Sequence, residues 1–453
     1  MINQNTAFEN SENQFAIAFK KLKLGKLLNK SGIRKAQGAS AYSVFQFLLL
    51  LVFQGKNLFR FLSFKHKEEA CSKNTYYRFL NESKYNWRKF LYLLSATVTS
   101  CFNNLTRPER VNVLVLDDSI IQRNRSKKVE LLAKVYDHVF HRCIKGVTML
   151  TLGWTDGYSF VPVDFNMLSS ANKANRIQES SAHADKRTSG YKRRKEAVSK
   201  KTEAAVQMVE NALASGIQAD YILMDTWFTT EPMIRSILKL GMDVIGMVKQ
   251  LNQKYIYAGK EYSLPQFRKF LRYESRKSIL GSIVVATKAD GIQVKIVFVR
   301  KRNKKSEWLY VLSTDISLSD AEIIRIYGNR WSIEVFFKAS KSLMKLENEF
   351  QGRSYDMMVS HTTIVFTRYI ILEWICRNSN DKKTYGELFY MFCDDIQDMD
   401  LTTALQSLMA LFMEYLNTVT ADITELVKSK LQLWMSSQAS FIQAMFANIS
   451  WES

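Results

Sequence analysis

Residues 111–119 read VNVLVLDDS, an almost wholly apolar run that stops at two aspartates. With no polar alternation, the run suits a strand buried on both faces of a sheet. ADYILMD (219–225) repeats the design and also ends in aspartate, and MDVIGMV (242–248) follows a helical stretch near 230–240. Between the first two runs lie GVTMLTLGW (146–154) and YSFVPVDF (158–165), joined by Thr155-Asp156-Gly157. Asp-Gly between apolar runs predicts a hairpin. A basic helical pattern fills about 191–214. Strand, hairpin, helix, strand, helix, strand describes an α/β chain: a mixed sheet with helices packed on it.

Outward from this centre the pattern changes twice. Across 251–314, KYIYAG, SIVVATKA, IQVKIVFVRKR and EWLYVLSTD predict four short strands, a β-rich insertion. A long helix then opens at Ser319-Asp320-Ala321-Glu322, which has the form of a capping box. Residues 355–453 return to helical spacing, as do 12–105 on the other side. Residues 36–55 carry no charge, but Gln37, Ser40, Ser43, Gln46 and Gln54 interrupt them, so a buried helix is expected rather than a membrane span of about 20 apolar residues. CSKNTYYRFLNES (71–83) predicts a short helix presenting Lys73, Asn74, Tyr77 and Arg78, either a DNA recognition helix or a solvated face.

The chain has 453 residues, 64 Lys and Arg against 43 Asp and Glu, and a net charge of +21. This excess calls for a polyanion, either nucleic acid or an acidic membrane surface. With 47% apolar residues and only 4 Pro, wholesale disorder is excluded. Residues 1–110 carry +12, 111–380 carry +15 and 381–453 carry −6, so polyanion contact is expected of the first two and protein contact of the tail. Leu405, Leu408, Leu411, Phe412, Tyr415 and Leu416 give that tail a helical apolar pattern, suited to self-association or to burial within the chain. Five cysteines without a CxxC pair argue against a disulfide framework or a zinc ribbon, and the N-terminus lacks a secretory pattern. A soluble chain in a reducing compartment is the expectation. A membrane-surface role ranks last, because the basic residues lie among core patterns rather than along one amphipathic helix.

An aspartate at the tip of a buried strand is held where open α/β sheets place their ligands. Asp117, with Asp118 beside it, and Asp225 both occupy such places. The helix after the insertion, IYGNRWSIEVFFKASKSLMK, supplies a third acid. With Tyr327 at zero, Arg330, Glu334 and Lys341 fall at about 300°, 340° and 320° around one continuous helix. Lys338 and Lys345 extend that arc, while Ile326, Ile333, Phe337 and Met344 form the adjoining buried strip. One reading is a solvated face with Glu334 bridged to Lys338. The other is an acidic site in a line of cations, since three converging carboxylates repel one another unless a hard cation joins them.

Tyr327-x₂-Arg330-x₃-Glu334-x₆-Lys341 resembles the Tyr-Arg-Glu-Lys signature of bacterial insertion-sequence transposases of family four, DDE enzymes with a ribonuclease-H-like core. VLVLDDS and YILMDTWF are similar to that family's two aspartate segments, and the resemblance covers about 60–375. It implies a metal-binding catalytic triad of Asp117, Asp225 and Glu334. Asp118 is the rival first ligand, although Asp117 with Ser119 fits the family's Asp-x-Ser/Thr pattern. Tyr327, Arg330 and Lys341 would grip DNA phosphates, with Lys338 as an additional candidate. Two Mg²⁺ ions, or Mn²⁺, are implied, as are duplex DNA partners (terminal inverted repeats and target), a homodimer, no membrane, and a cytoplasmic, nucleoid-associated location. The implied organisation is a helical DNA-binding region at 1–110, a catalytic core at 111–250, the insertion at 251–314, the catalytic helix at 315–352 and a helical, dimerising region at 353–453. The implied activity is cut-and-paste transposition; the rival is an inactive DNA-binding protein of the same fold.

Weaker signals stand apart from this. Lys192-Arg193-Arg194-Lys195 and Arg300-Lys301-Arg302 are expected phosphate contacts or solvated charge runs. Trp227 and Trp308 are expected in the core, with base stacking as the alternative. His138-x₂-His141-x-Cys143 lacks a fourth zinc ligand. Asp137-His138 could assist the acidic site.

Overall fold

The computed structural model describes residues 15, 17–64, 71–107, 109–137, 140–181, 185–250, 253–271, 278–301, 307–348, 352–379, 383–394 and 421–437. Before the sheet come α1 (Leu24–Lys30), α2 (Ala41–Leu50), α3 (Leu58–Phe64), α4 (Lys73–Leu80) and α5 (Trp87–Leu105). The uncharged segment thus contains a buried helix, α2, whose Phe45, Leu48 and Leu49 are fully covered. Among the described residues no helix is long and apolar enough to cross a membrane.

The centre of the sheet is built from β1 (Val113–Gln122), β3 (Arg142–Thr155), β4 (Phe160–Leu168), β5 (Tyr221–Met224) and β6 (Asp243–Val248). β3 is antiparallel to β1 and to β4, while β5 runs parallel to β1 and to β6. The order β4-β3-β1-β5-β6, three antiparallel strands followed by two parallel ones, is the ribonuclease-H-like mixed sheet. Thr155-Asp156-Gly157 turns the β3–β4 hairpin, with Gly157 at φ 81° and the Asp156 carboxylate accepting the Tyr158 and Ser159 amides. A short strand before it, β2 (Ala133–Asp137), pairs with the start of β3 and was not expected, because its polar residues alternate too briefly to stand out.

The β-rich insertion continues this sheet. β7 (Lys254–Tyr257), β8 (Lys260–Ser263), β9 (Ile279–Thr287), β10 (Gln293–Arg300) and β11 (Trp308–Ser313) extend it to eleven strands, because β11 pairs antiparallel with the outer edge of β6. β8 and the single turn α9 (Leu264–Phe267) add to the four strands read from the sequence; KEYS is too short and polar to signal a strand by itself. Helix α8 (Glu231–Leu238) falls where spacing placed it, whereas the single helical pattern read over about 191–214 forms two helices, α6 (Ser189–Glu196) and α7 (Lys201–Ala214), with a turn at 197–200 between them.

Past β11 lie α10 (Asp320–Gly328), α11 (Trp331–Ser342), α12 (Tyr355–Asn378) and, in the tail, α13 (Ala421–Ser436). The apolar tail positions from Leu405 to Leu416 lie outside the described residues. α12 is covered on nearly all sides, the condition of a helix at the centre of a domain. Its Arg368 donates to the carbonyls of Leu48 and Leu49 at 2.6 and 2.7 Å, and to Met344 at 3.3 Å. The last carbonyls of a helix lack intrahelical partners and carry partial negative charge, so one cation fastens α2 and the segment after α11 to the centre. At the other end, α5 is fixed to β4: Ser95 donates to the Pro162 carbonyl, and Asp164 accepts from Tyr92 at 2.6 Å and from Arg88 at 3.2 Å.

Glu373 of α12 is buried beside Asp156 and Arg377. Burial first, with Asp156 adding repulsion, raises its carboxyl to about 8. The folded protein therefore holds a proton here that the unfolded chain has lost, and stability falls as pH rises from the ordinary glutamate range to about 8. Glu373→Gln should remove that slope and make the variant more stable than its parent at pH 9, by roughly a few kcal/mol. Urea midpoints of both proteins at pH 6 and pH 9 measure it; parallel shifts in the two proteins would refute it.

Candidate active site

The sheet register brings the two aspartates together. Leu116 of β1 lies level with Met224 of β5, the last residue of that strand. Asp117 and Asp225 are the next residues on adjacent parallel strands, whose axes lie about 4.8 Å apart. Asp225 closes its strand as expected: its Oδ1 accepts the amides of Trp227 and Phe228 at 2.9 and 3.1 Å, turning the chain away. Asp117 does not close its strand. β1 runs on to Gln122 because β3 goes on supplying antiparallel hydrogen bonds after β5 has ended. Asp117 thus stands in mid-strand, at the carboxyl edge of the parallel part.

The helix carrying the third acid is not continuous. The capping box forms, Ser319 and Glu322 bonding reciprocally, but α10 stops at Gly328 and α11 starts at Trp331. Asn329 and Arg330 bond back three residues rather than four, to Ile326 and Tyr327. This tighter turn alters the angle between Tyr327 and the residues after it, so the single wheel is only approximate. The buried strip survives nonetheless: Ile326, Ile333, Phe337 and Met344 are all covered.

Arg330, capping α11, reaches into the acids. Its Nη1 donates to Asp117 Oδ2 at 2.6 Å and its Nη2 to Glu334 Oε1 at 2.9 Å. Glu334 therefore pairs backward with Arg330, not forward with Lys338, which is exposed. Burial pushes the Asp117 carboxyl up to about 7; Arg330 opposes this, and the charges of Asp225 and Glu334 add to it. Asp117 thus feels both other acids. The Tyr327 hydroxyl bonds to Arg330 and is pushed up to about 12, by burial first, with Asp225 and Asp117 also raising it. Lys341 donates to the Ile120 carbonyl at 2.8 Å and pairs with Glu347 at 3.0 Å.

Asp118 points the other way, since successive strand residues face opposite sides. It pairs with Lys201 of α7 at 2.6 Å, and that ammonium lies 4.2 Å over the Trp227 ring. Asp118, Lys201, Asp225, Trp227, Lys249 and Lys341 line a cleft of about 770 Å³. Trp227 is 41% exposed there, against the expected core position, because the Asp225 turn lifts it off the sheet. Lys201 was not singled out; nothing marks it among the neighbouring lysines. Trp331, next to Arg330, is 68% exposed and also escaped notice.

Other sequence candidates resolve differently. Arg193 and Arg194 are buried and bonded within the chain, so half of the 192–195 cluster is structural, while Lys192 and Lys195 are exposed. Trp308 is partly covered, with the Arg268 guanidinium 4.3 Å above it. α4 forms as expected and buries Tyr76, Phe79 and Leu80. His138 and Arg302 lie outside the described residues.

The chain matches two family models. DDE superfamily endonuclease covers residues 48–260, and Transposase DDE domain covers residues 189–371. The first span contains Asp117 and Asp225; the second contains Asp225 and Glu334. Together the matches support a DDE transposase. They run from 48 to 371, close to the span over which the sequence resembles insertion-sequence transposases. No curated protein matches the chain. A DDE transposase acts on DNA, and enzymes of this superfamily generally use divalent metal ions.

The three carboxylates offer the hard oxygen donors that Mg²⁺ and Mn²⁺ prefer. Among the described residues, however, no group of three His, Cys, Asp or Glu side chains is placed as it stands to hold an ion. The Arg330 guanidinium lies between two of the three. The donor chemistry suits a divalent cation; the space between the donors holds an organic one.

Proposed function

We propose that this DDE transposase belongs to the insertion-sequence group of family four, binds the terminal repeats of its element as a dimer, and moves it by cut-and-paste strand transfer in the nucleoid. The convergence of Asp117, Asp225 and Glu334 on one edge of the sheet, from positions more than a hundred residues apart, is the observation that supports this reading. Asp117, Asp225 and Glu334 would hold two Mg²⁺ ions, or Mn²⁺. When bound, such ions supply an activated water and charge neutralisation at the leaving oxygen of a phosphodiester.

The remaining residues position the DNA. Arg330 offers a planar fork of donors that fits two phosphate oxygens, and Tyr327 adds a hydroxyl beside it. Lys338 is exposed on the same helix and Lys341 lies a turn further on, so the two suit successive phosphates. Hydrolysis breaks one P–O3′ bond and leaves a 3′-hydroxyl at the element end. That hydroxyl then attacks a target phosphorus, displacing a target 3′-oxygen and forming one new phosphodiester, so bonds made and broken balance. The helical regions at 1–110 and 353–453 would bind the repeats and the second subunit.

Incubating the full-length protein with its element ends and Mg²⁺, and mapping the ends at nucleotide resolution, tests this. A nick at the element boundary followed by joining to a second duplex is the expected result. DNA binding with no metal-dependent cut at any site would instead favour an inactive DNA-binding protein of the same fold.

A further inference from the structure

We propose that Arg330 is a latch on the acidic site: in the DNA-free protein its guanidinium occupies the place of the divalent cations, and a DNA phosphate draws it away to admit them. The proposal rests on the triad reading above and names how that site is regulated.

Its basis is a competition for the same lone pairs. Asp117 is only 9% exposed and feels the charges of two other acids, an arrangement too costly to leave without a counter-charge. Arg330 supplies that charge, with one nitrogen on Asp117 and the other on Glu334. A divalent ion shared by these carboxylates needs the oxygens that now accept from the guanidinium. Metal and latch therefore exclude each other.

The same planar fork also matches a phosphate. Bidentate phosphate contacts are among the strongest an arginine makes, so a backbone phosphate beside Arg330 can take over the guanidinium. Phosphate binding and metal binding then favour each other, and the coupling is reciprocal: metal should also tighten DNA binding. Cations would enter the site when the strand to be cut is already in place, which limits unguided hydrolysis. Lys338 is the natural comparison. It lies one turn beyond Glu334 and carries the same charge, but is exposed and makes no bridge between the acids.

Mn²⁺ binding to the full-length protein, followed by electron paramagnetic resonance of the free ion, tests the latch without reference to cleavage. Without DNA, Arg330→Ala should bind Mn²⁺ at least about tenfold tighter than the parent, while Lys338→Ala stays within about threefold. Arg330→Lys, which keeps the charge but loses the fork, should fall between them and serves if the alanine variant does not fold. A saturating duplex oligonucleotide, corrected for its own Mn²⁺ uptake, should raise the parent's affinity and leave that of Arg330→Ala nearly unchanged. Equal Mn²⁺ affinity in the parent, Arg330→Ala and Arg330→Lys would overturn the latch. If Arg330→Ala binds tightly but Arg330→Ala/Glu334→Gln binds equally well, the triad reading itself is wrong.

Discussion

In the Glu334→Gln variant, Mg²⁺-dependent strand cleavage falls by at least about 10³-fold while duplex affinity stays within a few-fold of the parent, because the substitution removes a charged oxygen donor and little else. Glutamine has nearly the same shape and still accepts from Arg330, so that contact survives and Ile333 and Phe337 keep their packing. What is lost is a negative charge where cation binding needs one. Asp117→Asn should behave alike, since Asp117 is the acid that feels both other carboxylates. Asp118→Asn is the discriminating control. Its partner is Lys201 on the opposite face of β1, so it should lower cleavage by less than about tenfold, through DNA placement alone. Gel-shift titration and single-turnover cleavage on the same labelled duplex give both quantities. A large loss in Asp118→Asn with a small one in Asp117→Asn would exchange the two residues' roles.

The two aspartates were legible because each sits where local sequence and register coincide. An apolar run ending in aspartate is a strong local signal, and two such runs in parallel neighbours put their aspartates side by side. Sequence could not show that β1 continues past Asp117, because that depends on β3, whose pairing is non-local. The break between α10 and α11 was equally hidden. Gly328-Asn329 in an otherwise helical pattern is tolerated in many helices, and only the packing of α11 on the sheet decides that the turn tightens there. The insertion strands were visible one by one, but their merger with the core sheet rests on Tyr310 to Ser313 lying against Val248 to Ile245, a pairing with no local trace.

Charge runs were the least readable feature. Lys192-Arg193-Arg194-Lys195 has the composition of a phosphate-binding patch, yet its two arginines point inward. An eight-residue helix packed on a sheet must bury one face, and here that face is cationic because Glu130, Asp164 and Asp356 wait beneath it. Those acids, Glu130, Asp164 and Asp356, lie 64, 29 and 162 residues from their arginine partners in this pair, so no window along the chain contains the whole arrangement.

That buried cluster gives the second large effect: Arg194→Met should destabilise the fold by about 3–5 kcal/mol. Arg194 meets Glu130 through Nε and Nη2 at 2.6 and 2.9 Å, and Asp356 through Nη1 and Nη2 at 2.9 and 2.7 Å. Glu130 also accepts the amides of Ser181 and Tyr355, so one carboxylate fixes a loop and the N-terminus of α12. Methionine fills similar space and leaves two carboxylates without their cation. Gly190 belongs to the same junction, since a Cβ there would meet the Asp356 carboxylate and Arg194. A triple variant, Arg194→Met with Glu130→Gln and Asp356→Asn, should recover much of the loss, because the cost lies in unpaired buried charge rather than in a missing contact. Urea denaturation of the parent, single and triple variants measures this. If the cluster is a pillar, the slope of log DNA affinity against log salt stays the same in Arg194→Met, whereas a phosphate contact would lower it by about 0.9. A stable single variant with a reduced salt slope would return Arg194 to the DNA-binding surface.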